Sequence, residues 1–165
     1  MIASPNRWAA ALAVPLALAA CTTPRPATAP RSITEPSPDE QAVVATAVRL
    51  FDAMATRDTT ALRAVLHPRA DLIVVDSTGR VQRIQASGWI RSIGASTEVL
   101  HERPSGPSRV EIDGPLATVW MPYTFHIGDQ FSHCGIDAMQ FARTPGGPWQ
   151  LLTVAFTMRR ANCPR

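Results

Sequence analysis

The chain has 165 residues, of which 45% are hydrophobic and 18% charged, with a formal net charge of +3. Every cation is an arginine, and the arginines are scattered without a basic run or an interleaved aromatic stripe, so the composition argues against nucleic-acid binding. Once the N-terminal segments are set aside, the remaining length suits one ordinary domain with its own core.

The first twenty residues have the layout of an export signal. Arg7 is followed by an apolar run over residues 8–18 and then by small residues. The run is too short for a permanent membrane span. Its end, Leu18-Ala19-Ala20-Cys21, resembles the lipobox of bacterial lipoproteins, which implies removal of residues 1–20 and a lipid on Cys21. The alternative is ordinary secretion with cleavage after Ala19.

Residues 21–38 form a predicted tether. Prolines recur among small polar residues here, which prevents both a packed core and a regular backbone ladder. Thr22 stands where lipoproteins retained in the inner membrane tend to carry aspartate. We therefore expect a lipid-anchored protein of the bacterial cell envelope, in the outer membrane and facing the periplasm, with one domain over residues 39–165.

Three helices are predicted in the first half of the domain. Ser37-Pro38-Asp39-Glu40 is a capping box with proline at the first helical position, and apolar residues follow at helical spacing as far as Ala55. A short second helix begins after Asp58 or Thr59 and ends before Pro68. A third, within residues 85–94, is ended by Gly94.

Strands occupy the rest of the domain. Residues 70–84 have the pattern of a strand pair with a turn near Gly79. Four further strand candidates follow: TEVLHER, SRVEIDGPLATVWMPYTFHI (broken near Gly114-Pro115), QFSHCGIDAMQFAR and WQLLTVAFTMRR. Turns are predicted at Gly128-Asp129 and at residues 145–148. Helices segregated from antiparallel strands indicate an α+β fold.

The order of elements resembles the nuclear transport factor two-like superfamily, in particular its SnoaL-like and lumazine-binding bacterial members. Tyr123-Thr124-Phe125, the stretch 131–135 (FSHCG) and Gly147-x-Trp149 are the most specific parts of the resemblance. It implies a cone-shaped, curved antiparallel sheet around three helices, with a cavity at the wide end. The superfamily contains isomerases and dehydratases as well as non-catalytic binding modules, so the fold leaves the function open.

The turn at Gly128-Asp129 sets a predicted register in which Cys134 lies opposite Tyr123 and Asp137 opposite Trp120. The face assigned to the concave core carries Val119, Met121, Tyr123, Phe125, Cys134, Ile136, Ala138, Leu152, Val154, Phe156 and Met158. The opposite, convex face carries Trp120, Thr124, His126, Phe131, His133, Asp137, Met139, Phe141, Leu151, Thr153 and Thr157. This second face is too apolar for plain solvent, which predicts a homodimer. A one-residue bulge would exchange the faces.

The candidate site residues follow from these faces. Because neighbouring strand residues point in opposite directions, His133 and Cys134 are not a nucleophile–base pair. Tyr123, Met121 and Phe156 are candidate ligand-binding residues for a small apolar or aromatic molecule. A SnoaL-like isomerase or dehydratase, acting by general acid–base catalysis through Asp137 with His133 or Tyr123 orienting the substrate, is the alternative to a binding or accessory interaction module.

Two cysteines remain once Cys21 is lipidated. In an oxidising compartment Cys134 and Cys163 would form a disulfide if the C-terminal tail curls back to bring their Cα atoms within about 7 Å; otherwise they remain thiols. A zinc site from Cys134, Cys163 and a histidine lacks any recognisable ligand spacing. We predict no metal and no cofactor.

Overall fold

The first helix, α1 (Pro38–Thr56), begins at the predicted capping box. The Ser37 hydroxyl accepts a hydrogen bond from the Glu40 amide at 3.2 Å, and the Ser37 amide donates to Glu40 Oε2 at 2.6 Å. The computed structural model describes residues 35–164. The predicted export signal and residues 21–34 of the predicted tether lie outside that range.

Two shorter helices complete the helical layer. Helix α2 (Thr59–Val65) is capped by Asp58, whose carboxylate accepts hydrogen bonds from the amides of Thr60 and Ala61. Helix α3 (Ala86–Ala95) runs one residue beyond the predicted end at Gly94. Apolar residues of all three helices belong to one buried core with the sheet. Within residues 35–164, no helix is both long and apolar enough to span a bilayer.

In the described part of the chain, seven strands form one curved, unclosed sheet. They are β1 (Leu66–Val75), β2 (Val81–Gln85), β3 (Leu100–Pro104), β4 (Arg109–Asp113), β5 (Leu116–Ile127), β6 (Gln130–Ala142) and β7 (Gln150–Thr157). Their order is β2-β1-β7-β6-β5-β3, and β4 also pairs with β5. The sheet was predicted to be antiparallel, but it is mixed, because β1 and β7 pair in parallel. These two strands lie far apart in the chain, so no hairpin dictates their direction.

The hairpin of β5 and β6 has the predicted turn but not the predicted register. Ile127 pairs with Gln130 across the turn, yet Phe125 pairs with His133, so Ser132 is an extra residue on β6. This bulge moves every later residue of β6 by one position. The predicted face assignment of β6 is therefore wrong, because period-two alternation carries a shift of one residue along the strand.

The bulge places His133, Asp137, Met139 and Phe141 in the interior, where we had expected Cys134, Ile136 and Ala138. A second bulge, at Leu152 of β7, follows from the change of register between Gln140 and Phe141. It buries Leu151, which was predicted to be convex. The residues of β5 keep their predicted faces, since Val119, Met121 and Tyr123 are all buried. The concave face of the sheet thus packs on the helices with a different set of β6 side chains.

Candidate functional site

A cavity of about 250 Å³ lies among residues of the helices and the sheet. Its lining is mostly apolar and comes from helices α1 and α3 and from every strand except β4. The apolar lining residues are Leu50, Phe51, Met54, Leu72, Val74, Ile84, Trp89, Ile93, Phe125, Met139, Val154, Phe156 and Met158. The volume lies just below the range of roughly 300–1,000 Å³ for sites that hold drug-sized molecules, so it suits a smaller ligand.

Four polar side chains interrupt this apolar lining: Glu102, Tyr123, His133 and Asp137. They come from three neighbouring strands, β3, β5 and β6. Glu102 pairs with Phe125, and Phe125 pairs in turn with His133, so these three residues form one row across the sheet and share its concave face. Adjacent strands thus bring distant parts of the chain together at the cavity.

Asp137 is a buried carboxyl with only 2% of its surface exposed. Its Oδ2 has no hydrogen-bond donor among the described residues. Burial raises the pKa of Asp137 strongly, although the hydrogen bond with Glu102 acts in the opposite direction. An acid of this kind retains its proton far more readily than an exposed aspartate does.

Glu102 forms a pair with Asp137. Burial raises the pKa of Glu102 well above its usual range, and the charge of Asp137 and the hydrogen bond with it raise that pKa further. The Glu102 side chain is half-buried: part of its surface remains accessible because it faces the cavity. Two carboxyls this close repel each other when both are ionised, so the pair favours a state in which one of them keeps its proton.

Tyr123 and His133 flank the carboxyl pair. The Tyr123 hydroxyl donates a hydrogen bond to the Thr157 carbonyl oxygen at 2.8 Å, and burial raises its pKa. The His133 ring stacks on Phe125 with 4.7 Å between ring centroids, and its Nδ1 lies 3.0 Å from Ser132 Oγ. Burial, followed by the charge of Arg160, lowers the pKa of His133, which keeps the ring neutral at neutral pH.

The predicted site residues are thus only partly brought together. Asp137, His133, Tyr123 and Phe156 all line the cavity. Asp137 and His133 were expected on the convex face; the Ser132 bulge turns them inward. Met121 is fully buried but is not part of the cavity lining. The interior therefore holds the two titratable groups that the enzymatic alternative requires.

Glu102 is the functional candidate that the sequence analysis missed. The stretch TEVLHER was interpreted as a strand without a face assignment. Leu100 and Glu102 share a face by period-two alternation, and Leu100 packs against the core. An apolar Leu100 was therefore a signal that Glu102 points inward.

The two remaining cysteines lie away from the cavity. Cys134 and Cys163 are joined by a disulfide, with 5.8 Å between their Cα atoms. Cys134 does not point inward beside Tyr123 as expected; the bulge places it on the opposite face, where its backbone pairs with Arg159. The disulfide fastens the chain after β7 to β6. Within residues 35–164, no group of three or more His, Cys, Asp or Glu side chains is placed to hold a metal.

The outer face of the sheet carries a different set of β6 side chains from the predicted one, because Asp137, His133, Met139 and Phe141 face the interior. Trp120 and Phe131 remain on it, with 47% and 44% of their surfaces exposed. Arg109 lies over the Trp120 ring at 5.9 Å from its centroid. Exposed aromatic side chains are typical of contact surfaces, and the homodimer stays a prediction.

The curved sheet, the three helices and the cavity between them define a nuclear transport factor two-like domain. More particularly, the chain belongs to the family described as "Putative lumazine-binding", whose model matches residues 38–157. No curated protein matches the sequence.

Solved structures share the fold at low sequence identity. A conserved protein from Planctomyces limnophilus is 16% identical, with a TM-score of 0.63 over 73% of this chain and 96% of that one. A Streptomyces avermitilis protein described as a "putative dehydratase from the NTF2-like family" is 20% identical, with a TM-score of 0.59 over 74% and 97%. An NTF2-like protein from Shewanella baltica is 13% identical, with a TM-score of 0.56 over 74% and 95%. At such identities the likeness concerns the fold alone.

Proposed function

We propose that this protein is a lipid-anchored envelope protein whose domain binds a small, largely apolar molecule in the cavity. The observation that carries the binding function is the cavity itself, with apolar walls and a localised set of polar groups. Such a combination is typical of small-molecule sites, in which apolar surface supplies affinity and a few polar groups fix orientation. The family description, which names lumazine, supports a small ligand.

The size of the cavity indicates what fits. A dry cavity of about 150 Å³ lined by Leu, Ile and Phe binds benzene. At about 250 Å³, this cavity has room for a ring with a short substituent or for a compact bicyclic molecule. The polar part of such a ligand would lie at Glu102 and Asp137, where Asp137 Oδ2 has no hydrogen-bond partner within residues 35–164.

Thermal melting with a panel of small aromatic molecules, lumazine among them, tests the proposal. A ligand at 100 times its dissociation constant stabilises the folded state by about 2.7 kcal/mol and raises the melting temperature accordingly. Val74 lines the cavity, so we expect Val74→Phe to fill it and abolish the rise. The matched control is Val81→Phe, at a position that is 64% exposed and outside the cavity, which should retain the rise.

Two results would contradict cavity binding. One is a panel without any stabilising molecule. The other is a ligand-induced rise of equal size in Val74→Phe and Val81→Phe, because the ligand would then bind elsewhere. The comparison within each variant, with and without ligand, separates loss of binding from any change that the substitution itself makes to stability.

A proton-transfer enzyme is the second candidate, and one observation favours it. Asp137 lies inside the cavity beside Glu102, so a group that holds a proton and a group that can accept one are adjacent. This matches the requirement of a SnoaL-like isomerase or dehydratase for general acid–base catalysis.

Incubation of the protein with a bound molecule in D₂O tests this second candidate. Incorporation of deuterium into the molecule by the wild type, and its loss in Asp137→Asn, would favour proton transfer. A ligand that stays unlabelled would argue for binding alone.

The anchor is proposed from the lipobox-like Leu18-Ala19-Ala20-Cys21. A lipid on Cys21 would place the cavity in the envelope, with the proline-rich residues 21–38 as the spacer, and Thr22 favours the outer membrane. Metabolic labelling with a fatty acid tests this placement. Labelled wild-type protein and an unlabelled Cys21→Ser variant are expected, whereas unlabelled wild type would indicate ordinary secretion.

A further inference from the structure

The cavity contains acidic groups without a compensating cation. Glu102 and Asp137 line it, and none of the described lining residues is an arginine. His133 does not supply positive charge at neutral pH, because burial and the charge of Arg160 lower its pKa. Whatever charge the cavity carries is therefore negative.

We propose that the ligand of this cavity is a small aromatic amine that binds as a cation, with its ammonium group at Glu102 and Asp137 and its ring among the apolar walls. The inference rests on the proposed binding function and specifies the chemical class of the ligand. It excludes carboxylates and phosphates, which would add negative charge where the protein supplies none to balance it.

Hydrogen bonding favours an ammonium group at this position. An ammonium group has three donors and no acceptor, and ionised carboxyls have acceptors only. Asp137 Oδ2 is buried without a donor among the described residues, which is an unusual state for a carboxyl oxygen. An ammonium would supply that donor, and hydrogen bonds between two charged groups are roughly twice as strong as neutral ones.

The walls of the cavity suit the remainder of such a ligand. Phe51, Trp89, Phe125 and Phe156 all line it. Aromatic rings attract cations through their faces, and the attraction increases when both groups are removed from water. The cavity thus combines a negative polar region with aromatic surface, the combination by which proteins recognise organic ammonium groups.

Other titratable groups near the pair do not change this charge balance. Tyr123 is kept neutral by burial, and its proton is engaged with the Thr157 carbonyl oxygen. Arg159 and Arg160, which follow β7, influence Tyr123 and His133 through their charge, but neither arginine lines the cavity. The carboxyl pair and His133 thus determine how the site responds to pH, and each proton that any of them gains as the pH falls weakens the binding of a cation.

Binding of a cation is linked to the shared proton. An ammonium group favours the ionised form of the pair, so it binds with release of protons and its affinity decreases as the pH falls. A neutral molecule of the same shape has no such linkage. The pH dependence therefore distinguishes a cation site from a merely apolar one.

Isothermal titration calorimetry with three matched probes tests the inference: phenethylamine, 2-phenylethanol and phenylacetate. At pH 7.5 we expect phenethylamine to bind about tenfold more tightly than 2-phenylethanol, from the difference between charged and neutral hydrogen bonds. Phenylacetate should bind at least tenfold more weakly than the alcohol. At pH 5, where the amine is still fully charged, its preference over the alcohol should shrink several-fold.

Substitutions at Glu102 and Asp137 test whether these two carboxyls cause the preference for the amine over the alcohol. The double variant Glu102→Gln/Asp137→Asn should bring the ratio of amine to alcohol affinity to about one, because each single variant leaves one carboxyl that can still ionise. Both replacements match the size and neutrality of a protonated acid, so folding is preserved. Glu111→Gln, at an exposed position on β4, should keep the wild-type ratio.

The outcomes separate this inference from the proposed function. If 2-phenylethanol binds as tightly as phenethylamine to the wild type, the cation inference is overturned while binding in the cavity stands. If the double variant keeps the amine preference, the ammonium lies elsewhere and the inference fails. If none of the three probes binds at millimolar concentration, the inference fails; the proposed function stands if another molecule of the melting panel stabilises wild type but not Val74→Phe, and fails if none does.

Discussion

Asp137→Asn should unfold at a higher urea concentration than the wild type at pH 8, and the difference should shrink toward pH 5. An acid whose pKa is raised in the folded state keeps its proton over a pH range in which the unfolded chain has lost it. The free energy of unfolding therefore falls as the pH rises through that range. Because asparagine is neutral at every pH, the Asp137→Asn variant does not lose this part of the free energy of unfolding.

The affected range begins near pH 4, where aspartate and glutamate ionise in an unfolded chain, and extends to the raised pKa values of the folded pair. Each pKa unit corresponds to about 1.4 kcal/mol, so we expect Asp137→Asn to be more stable than wild type at pH 8 by on the order of 2–4 kcal/mol. Urea unfolding at pH 5 and pH 8 measures the difference.

Asp52→Asn is the matched control for this measurement. Asp52 lies exposed on α1 and outside the cavity, so its replacement should leave the carboxyl pair, and with it the difference between pH 5 and pH 8, as in the wild type. If Asp137→Asn shows the same dependence on pH as the wild type, Asp137 ionises as freely in the folded protein as in the unfolded chain. The shared proton, and with it the expected loss of amine affinity toward pH 5, would then be rejected.

Local signals in the sequence were sufficient for the helices and most strand boundaries. The Ser37 capping box, the Asp58 cap and the Gly128-Asp129 turn each depend on residues within a few positions of one another. Such short-range chemistry is encoded in the order of residues. The fold class and the inward face of β5 were predicted correctly for the same reason.

The site was harder to predict because it depends on one irregular residue. The Ser132 bulge leaves no composition signal that differs from a regular strand, yet it decides whether Asp137 faces the cavity. The parallel pairing of β1 with β7 could not be predicted from the sequence either, since most of the domain lies between the two strands in the chain. Tertiary packing decides the register beyond a bulge, and the alternation of side chains along a strand gives no information about that packing.

Glu102 illustrates a second limit. Its face was available from alternation with Leu100, but its partner was not, because β3 does not pair with β6. The two carboxyls meet across β5, which supplies Phe125 and Tyr123 between them. A pair built from two strands that are not neighbours requires the strand order as well as the register.

Gly135 stands between His133 and Asp137 on the concave face of β6, and its missing side chain is what lets the Tyr123 ring cross the strand. Tyr123 is paired with Gly135, and its hydroxyl reaches the Thr157 carbonyl oxygen on the far side. A Cβ at Gly135 would overlap that oxygen and lie 2.7 Å from Tyr123 Cε1. The φ of Gly135 lies outside the left-handed region, so the requirement for glycine is one of space.

Gly135→Ala should therefore destabilise the domain by about 3 kcal/mol or more, at the upper end of the cost of overpacking, because the obstacle includes backbone that cannot rotate away. Urea unfolding at neutral pH measures the loss. Gly88→Ala is the matched control: on α3 the added methyl group meets only Arg91 Nη2, at 3.7 Å, and alanine favours a helix, so stability should be unchanged or slightly higher. A Gly135→Ala protein as stable as wild type would show that β6 and β7 separate there at no cost. The Tyr123 hydrogen bond would then not depend on the close approach at Gly135.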